Sequence, residues 1–299
     1  MIQASPVRSL TPPGPRLVRV VATDAHEGPV YVPGEDALYF TSLPRRGGAP
    51  AAHPVVAVRR LALDGHRFPL EPERIETVRE DANVANGMAL DGDGRLVVCE
   101  QGTRLRPASI TRDGRPLVDS WNGLPLNSPN DVTVKSDGSI WFTDPSYGWL
   151  QGFRPEPMLG DQVYRYEPAS DTLEVVADGF DKPNGLCFSP DERVLYVADN
   201  GAPHHLKAFE VLGGRRLEGE RVIATSTPLH PDGLKTDSAG RIYATFSGGI
   251  QVLAPTGALL GEILLPGAVN FCFGTAERNV LFITTDDAIW AADLAATAA

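Results

Sequence analysis

Apolar and polar residues alternate along most of this chain in short runs, and Gly-, Asp- and Ser-bearing turns separate the runs. Period-two alternation predicts β-strands, and no apolar stripe of helical period and useful length interrupts it. The runs are also ordered. Six segments share one pattern: a polar residue, a small or apolar residue, an alternating strand, a tight turn and a second strand. They are EGPVYVPGEDALYFTSL from Glu27, NGMALDGDGRLVVCEQG from Asn86 and NDVTVKSDGSIWFTDPS from Asn130. Then follow NGLCFSPDERVLYVADN from Asn184, DGLKTDSAGRIYATFSG from Asp232 and NFCFGTAERNVLFITTD from Asn270. The turns PGED, DGDG, SDGS, SPDER, DSAG and GTAER carry the residues that positive φ and Asx turns require. The strands after them are rich in Val, Ile, Phe, Tyr and Trp, which suit a pleated surface.

Each interval holds more than one hairpin. QVYRYEP and LEVVADG follow the third segment, LKAFEVL and ERVIATS the fourth, and IQVLAPT and ALLGEILLP the fifth. Four strands per unit of roughly 40–50 residues is the pattern of a propeller blade. The expected fold is therefore all-β, a six-bladed β-propeller with four-stranded blades. Too little chain follows Asp287 for a full last blade, while Arg16–Asp24 (RLVRVVATD) is a strand without a partner of its own. The N-terminal strand is expected to complete the sixth blade and close the ring. Residues 1–15 read as a Pro-rich arm and residues 16–299 as one propeller domain.

Composition narrows the function. Gly (30) and Pro (26) are scattered as turns rather than clustered, and 42% of the residues are hydrophobic, enough for a sizeable core. A net charge of −11 argues against nucleic-acid binding and against docking on an anionic membrane. No run of about 18 apolar residues predicts a membrane span. The N-terminus lacks the apolar stretch of a secretion signal. Cys99, Cys187 and Cys272 lie inside apolar runs, without the paired spacing of a zinc site. They read as buried free thiols, and a cytoplasmic location follows.

In a propeller the first strand of each blade lines the central channel. The residues that open those strands, Glu27, Asn86, Asn130, Asn184, Asp232 and Asn270, should form a ring at one mouth. Two carboxylates and four carboxamides, with no Lys, Arg, His or Cys among them, suit one hard divalent cation. Calcium takes six to eight oxygen ligands and is the expected ion, and zinc and manganese share these donors. Asn86 and Asn270 are expected outside its immediate ligands. A second set ends the returning strands at the same mouth: Ser42, Glu100, Asp144, Asp199, Ser247 and Asp286. These residues either wall a substrate pocket or serve as caps and turns. His26, His204, His205 and His230 fall nearby by register, whereas Lys182 and Lys235 read as surface residues. The stretch from Tyr147 to Gly160 (YGWLQGFRPEPMLG) is long enough to be a lid or to pack on a blade edge.

EGPVY, SPND, PNG, HPDG and the run DPSYGW…GFRPEP…QVYRY resemble the senescence marker protein/gluconolactonase/luciferin-regenerating family. The resemblance extends from Glu27 to Asp287. It implies a six-bladed propeller with one catalytic divalent cation and lactone-hydrolysing activity on a small-molecule lactone. By that resemblance Glu27 and Asn184 are metal ligands, and Asp232 is both a ligand and the proton donor or acceptor. Asn130 is a substrate-contacting or metal-facing residue. Sugar-lactonase members often carry an Arg two residues before this Asn, where it holds substrate hydroxyls. Here that place is Ser128, which weakens the case for a sugar lactone. Ser128, Asn86, Asn130 and Asp199 are the expected substrate contacts. A serine-hydrolase route lacks its G-x-S-x-G elbow. The alternatives are an organophosphate-hydrolysing propeller, or a condensing or purely binding propeller. The polar ring argues against the last two, since neither needs one.

Overall fold

A computed structural model of the chain describes residues 16–46, 53–63, 65, 68–202, 204–225, 231–275 and 279–294. The expected arm (1–15) and His230 lie outside these residues. Six four-stranded antiparallel sheets are arranged as the blades of a propeller. Blade 1 runs Val30–Val32, Ala37–Thr41, Val58–Ala62 and Ile75–Arg79. Blade 2 runs Ala85–Leu90, Leu96–Glu100, Ser109–Arg112 and Arg115–Val118. Blade 3 runs Val132–Val134, Ile140–Asp144, Gln162–Glu167 and Thr172–Ala177. Blade 4 runs Pro183–Phe188, Val194–Asp199, His205–Leu212 and Arg216–Thr225. Blade 5 runs Leu234–Thr236, Ile242–Phe246, Gly249–Leu253 and Leu259–Leu264. Blade 6 takes Ala268–Gly274, Val280–Thr285 and Ala288–Asp293 from the C-terminal part of the chain. Its outer strand is Leu17–Ala22, which pairs from Leu17 with Ala292 to Ala22 with Ala288. The N-terminal strand thus closes the ring. Each first strand touches the first strands of both neighbouring blades, so the six surround one axis.

The turns within the leading hairpins use the conformations their sequences suggest. Asp36, Gly94, Gly138, Glu192 and Gly240 each adopt positive φ.

The core is distributed between blades. Six apolar clusters occupy the six interblade spaces. Successive strand residues point to opposite faces, so a central strand feeds two clusters at once. Phe142 packs against blade 2 with Val97 and Cys99, while Trp141 packs against blade 4 with Phe188 and Leu195. Alternation here separates one neighbour from the other, not core from solvent. Cys99, Cys187 and Cys272 are free and buried in these spaces, and burial pushes the Cys187 thiol up to about 12. Among the described residues no helix is long and apolar enough to cross a membrane.

Candidate active site

Each residue of the expected ring lies within three residues of the start of its blade's first strand, Glu27, Asn130 and Asp232 before it and Asn86, Asn184 and Asn270 just inside it. A recurring threonine holds four of these starts in place. The Thr41 hydroxyl accepts from the Glu27 N–H at 3.1 Å, and the Thr245 hydroxyl accepts from the Asp232 N–H at 3.0 Å. Thr284 does the same for Asn270 at 3.2 Å, and Thr143 for Asp131 at 3.1 Å. Thr143 also donates to the Asn184 carbonyl of the next blade at 2.8 Å, and Thr284 donates to the His26 carbonyl at 2.7 Å. All four threonines are buried. The signal was present in the sequence as FTS, FTD, ATF and ITT, one or two residues before the positions picked for the pocket wall.

The glycines beside the ring serve close packing. A side chain on Gly185 would place its Cβ 2.1 Å from the Asp232 carbonyl oxygen. At Gly87 it would meet the Asn130 carbonyl oxygen at 2.6 Å, and at Gly233 the Asn270 Oδ1 at 2.4 Å. Only Gly28 of this group has positive φ, +58°. The Asn-Gly and Asp-Gly pairs are therefore strand starts pressed against the next blade, not turns.

Glu27, Asp232 and Asn184 are brought together from blades 1, 5 and 4. The Asp232 carboxyl faces the Glu27 carboxyl and the Asn184 side chain closely enough for both to act on its proton affinity. Glu27 Oε2 also accepts from Asn270 Nδ2 at 2.7 Å and from the Gly28 N–H at 3.2 Å. Asp232 keeps some exposed surface, yet protein from several blades surrounds it on the axis. Desolvation and the charges of Glu27 and Asp131 push its carboxyl well above the usual range. Desolvation, opposed by His26 and Asn270, raises Glu27 as well. Buried Glu27 and half-buried Asp232 thus each resist ionising side by side.

That donor set fits a hard divalent cation. It offers two carboxylates and amide oxygens, with no thiol or imidazole among them. The Asn86 Oδ1, on blade 2 of the same ring, is buried without a hydrogen-bond partner among the described residues. Among the described residues no group of three or more His, Cys, Asp and Glu side chains is arranged to hold a metal, so amide oxygens are needed. Asn270 is already committed: its Nδ2 donates to Glu27, and its Oδ1 accepts from the Phe271 N–H at 2.7 Å. Asn130 is buried at the start of blade 3, and its carbonyl accepts from the Gly87 N–H at 2.8 Å.

Several expected positions have other work. Ser128 is completely buried. Its hydroxyl donates to the Pro145 carbonyl at 2.5 Å and accepts from the Gly148 N–H at 2.9 Å, so it anchors a loop and does not face substrate. Asp199 is also buried, and its carboxylate accepts from the N–H groups of Asp181, Lys182 and Gly201 at 2.8–3.3 Å. Asp144 is its counterpart in blade 3, clasping the Asn127 and Ser128 N–H groups at 2.8 and 2.7 Å. Burial nevertheless pushes Asp144 up to about 7. Glu100 pairs with Arg79 at 2.7 Å, and the Ser42 hydroxyl bonds Leu43 and Ala57. Ser247 is exposed, and the exposed Asp286 pairs with His26 at 2.8 Å. His204 and His205 are half-buried in blade 4.

Two lysines depart from the surface reading. Lys182 bonds Asp161 at 2.8 Å. Lys235 is half-buried, 3.6 Å from the buried Asp131; burial lowers its proton affinity, but the Asp131 charge outweighs this and holds the ammonium above its ordinary range. Asp131 and Lys235 were missed because each follows a ring residue on an alternating strand, where pattern alone marks no chemistry.

The stretch after Asp144 packs on the body of the protein. A short helix, Tyr147–Leu150, opens it. The buried Arg154 donates to the carbonyls of Asn127, Thr103, Arg106 and Leu126 at 2.8–3.3 Å. Phe153 joins the apolar cluster between blades 1 and 2. This fixed rim carries Tyr147 to Asn184, whose Nδ2 donates to the phenolic oxygen at 3.4 Å.

Fold and site together define a six-bladed propeller with an acidic, amide-lined centre on its axis. Residues 25–287 match the SMP-30/Gluconolactonase/LRE-like region, and the chain belongs to this family. It is 31% identical over 288 residues to a gluconolactonase of Zymomonas mobilis, covering 89% of this chain and 78% of the relative. The solved structure of XC5397, a gluconolactonase from Xanthomonas campestris, superimposes with a TM-score of 0.79 at 34% identity, covering 93% of this chain and 89% of that one. A luciferin-regenerating enzyme shares the fold with a TM-score of 0.72 at 17% identity, covering 94% and 95% of the two chains.

Proposed function

We propose that this protein is a divalent-metal-dependent lactonase, a carboxylic-ester hydrolase that opens a small-molecule lactone. The observation that carries the reading is the meeting of Glu27, Asp232 and Asn184 on the propeller axis, in a chain whose relatives include gluconolactonases. Glu27, Asn184 and Asp232 would hold the cation, calcium by its donor chemistry, with Asn130 in or beside the site. When bound, such an ion supplies Lewis-acid polarisation of the lactone carbonyl.

Asp232 takes the proton from the attacking water and returns it to the ring oxygen as the acyl C–O bond breaks. A carboxylate that binds a cation is ordinarily a weak base. Without the cation, burial and the neighbouring Glu27 and Asp131 charges hold its carboxyl well above the usual range. Glu27 contributes charge and position, held by Asn270 and Gly28. Asn86 and Asn130, on neighbouring blades, would be the substrate contacts. Three free buried thiols suit a reducing compartment, and we place the enzyme in the cytoplasm.

The test is hydrolysis of a panel of five- and six-membered lactones beside a phosphotriester, before and after chelation. Lactone opening that is lost on chelation and restored by calcium is expected. Faster turnover of the phosphotriester would overturn the assignment.

A further inference from the structure

We propose that Tyr147 is a catalytic residue whose hydroxyl donates a hydrogen bond to the carbonyl oxygen of the bound substrate and to the oxyanion that forms from it. The inference rests on the lactonase reading and adds a residue that the family resemblance did not assign.

The argument is one of hydrogen-bond direction. A phenolic hydroxyl has one proton to give and two lone pairs to accept with. At Tyr147 the amide of Asn184 donates to the oxygen at 3.4 Å. This contact uses the oxygen as acceptor and leaves the proton for another partner. Asp232 acts on Tyr147 through its charge, with no hydrogen bond to it among the described contacts. The hydroxyl therefore lies within the electrostatic reach of the acidic centre with its donor function uncommitted. An ordinary phenol keeps its proton at the pH of hydrolysis, so Tyr147 remains a donor there.

The ring is also held rigidly. The Gly148 N–H is anchored on Ser128 Oγ at 2.9 Å, and the Gly148 carbonyl accepts from the N–H groups of Phe153 and Arg154 at 3.0 and 2.9 Å. A Cβ at Gly148 would lie 2.3 Å from Arg154 Cγ, so the helix is pressed onto that side chain. A donor fixed before the reaction stabilises developing charge without a reorganisation cost. No proton leaves Tyr147. The proton lost by water goes to Asp232, and the phenol serves only as a hydrogen-bond donor to oxygen.

The test is Tyr147→Phe, which removes the hydroxyl and keeps the ring. Loss of one oxyanion donor lowers kcat by roughly 10²–10³-fold. KM, calcium affinity by titration calorimetry and melting temperature should stay close to those of the unaltered protein. Unchanged kcat in Tyr147→Phe would overturn the inference, as would a loss that follows calcium affinity or melting temperature. If the unaltered protein opens no lactone, the parent reading falls and this inference with it. An active parent with a fully active Tyr147→Phe variant removes this inference alone.

Discussion

Asp232 and Glu27 carry the same charge on the same axis, yet only Asp232 is given a proton to move. Asp232→Asn keeps an oxygen for the cation but removes a charge and the proton acceptor. Glu27→Gln removes the same charge and no acceptor. Both variants should bind calcium more weakly. At saturating calcium, with bound metal measured in parallel, Glu27→Gln should recover most of its activity. Asp232→Asn should stay slower by roughly 10²–10⁴-fold, the usual contribution of general acid–base catalysis. Full rescue of Asp232→Asn would move the base elsewhere. These acids were legible because each opens one of six segments in a shared register. Tyr147 was named only as part of a loop, since it has no counterpart in other segments to mark it. Ser128 was misread because its burial depends on the loop closed by Arg154, which is stapled to Leu126 and Asn127 from a distant part of the chain.

Among the elements, the first strands decide how near the ring residues can come to one another. Glycine was legible beside four ring members, but its reason was not, because a sequence shows the turn-former and hides the neighbouring blade. Gly185 carries the sharpest test. Gly185→Ala must displace the Asp232 carbonyl, since the new Cβ would lie 2.1 Å from it. Overpacking of this kind costs about 1–3 kcal/mol. Urea denaturation should show that loss, and calcium affinity should fall with it because Asp232 moves. Gly92→Ala is the control: nothing lies within 4 Å of its added Cβ, and both properties should stay unchanged. A Gly185→Ala protein as stable as the parent would contradict the close-approach account. The hairpins and the six-fold count were readable from alternation. The threonines that tie hairpins to the axis were not singled out, because a strand threonine ordinarily signals β-propensity alone.

For the whole molecule, closure and cation binding share one consequence. The first described strand, Leu17–Ala22, completes blade 6, and Asn270 of that blade bonds Glu27 of blade 1 across the seam. The proposed ligands come from blades 1, 4 and 5, so a shared ion would hold distant parts of the ring together. An ion that binds only the folded state stabilises it by about 2.7 kcal/mol at a hundredfold excess over Kd. In a protein of this size that is about 5 °C in melting temperature. Ring closure was legible because the last segment lacked a strand and the first strand lacked a partner. The channel's third acid and its lysine, Asp131 and Lys235, emerge only once six strands face one axis. The most direct measurement is a calcium titration of chelator-treated protein, followed together by bound metal, melting temperature and lactone hydrolysis. The account predicts that all three rise together and saturate at one ion per chain. Full hydrolysis and an unshifted melting curve in metal-free protein would contradict it.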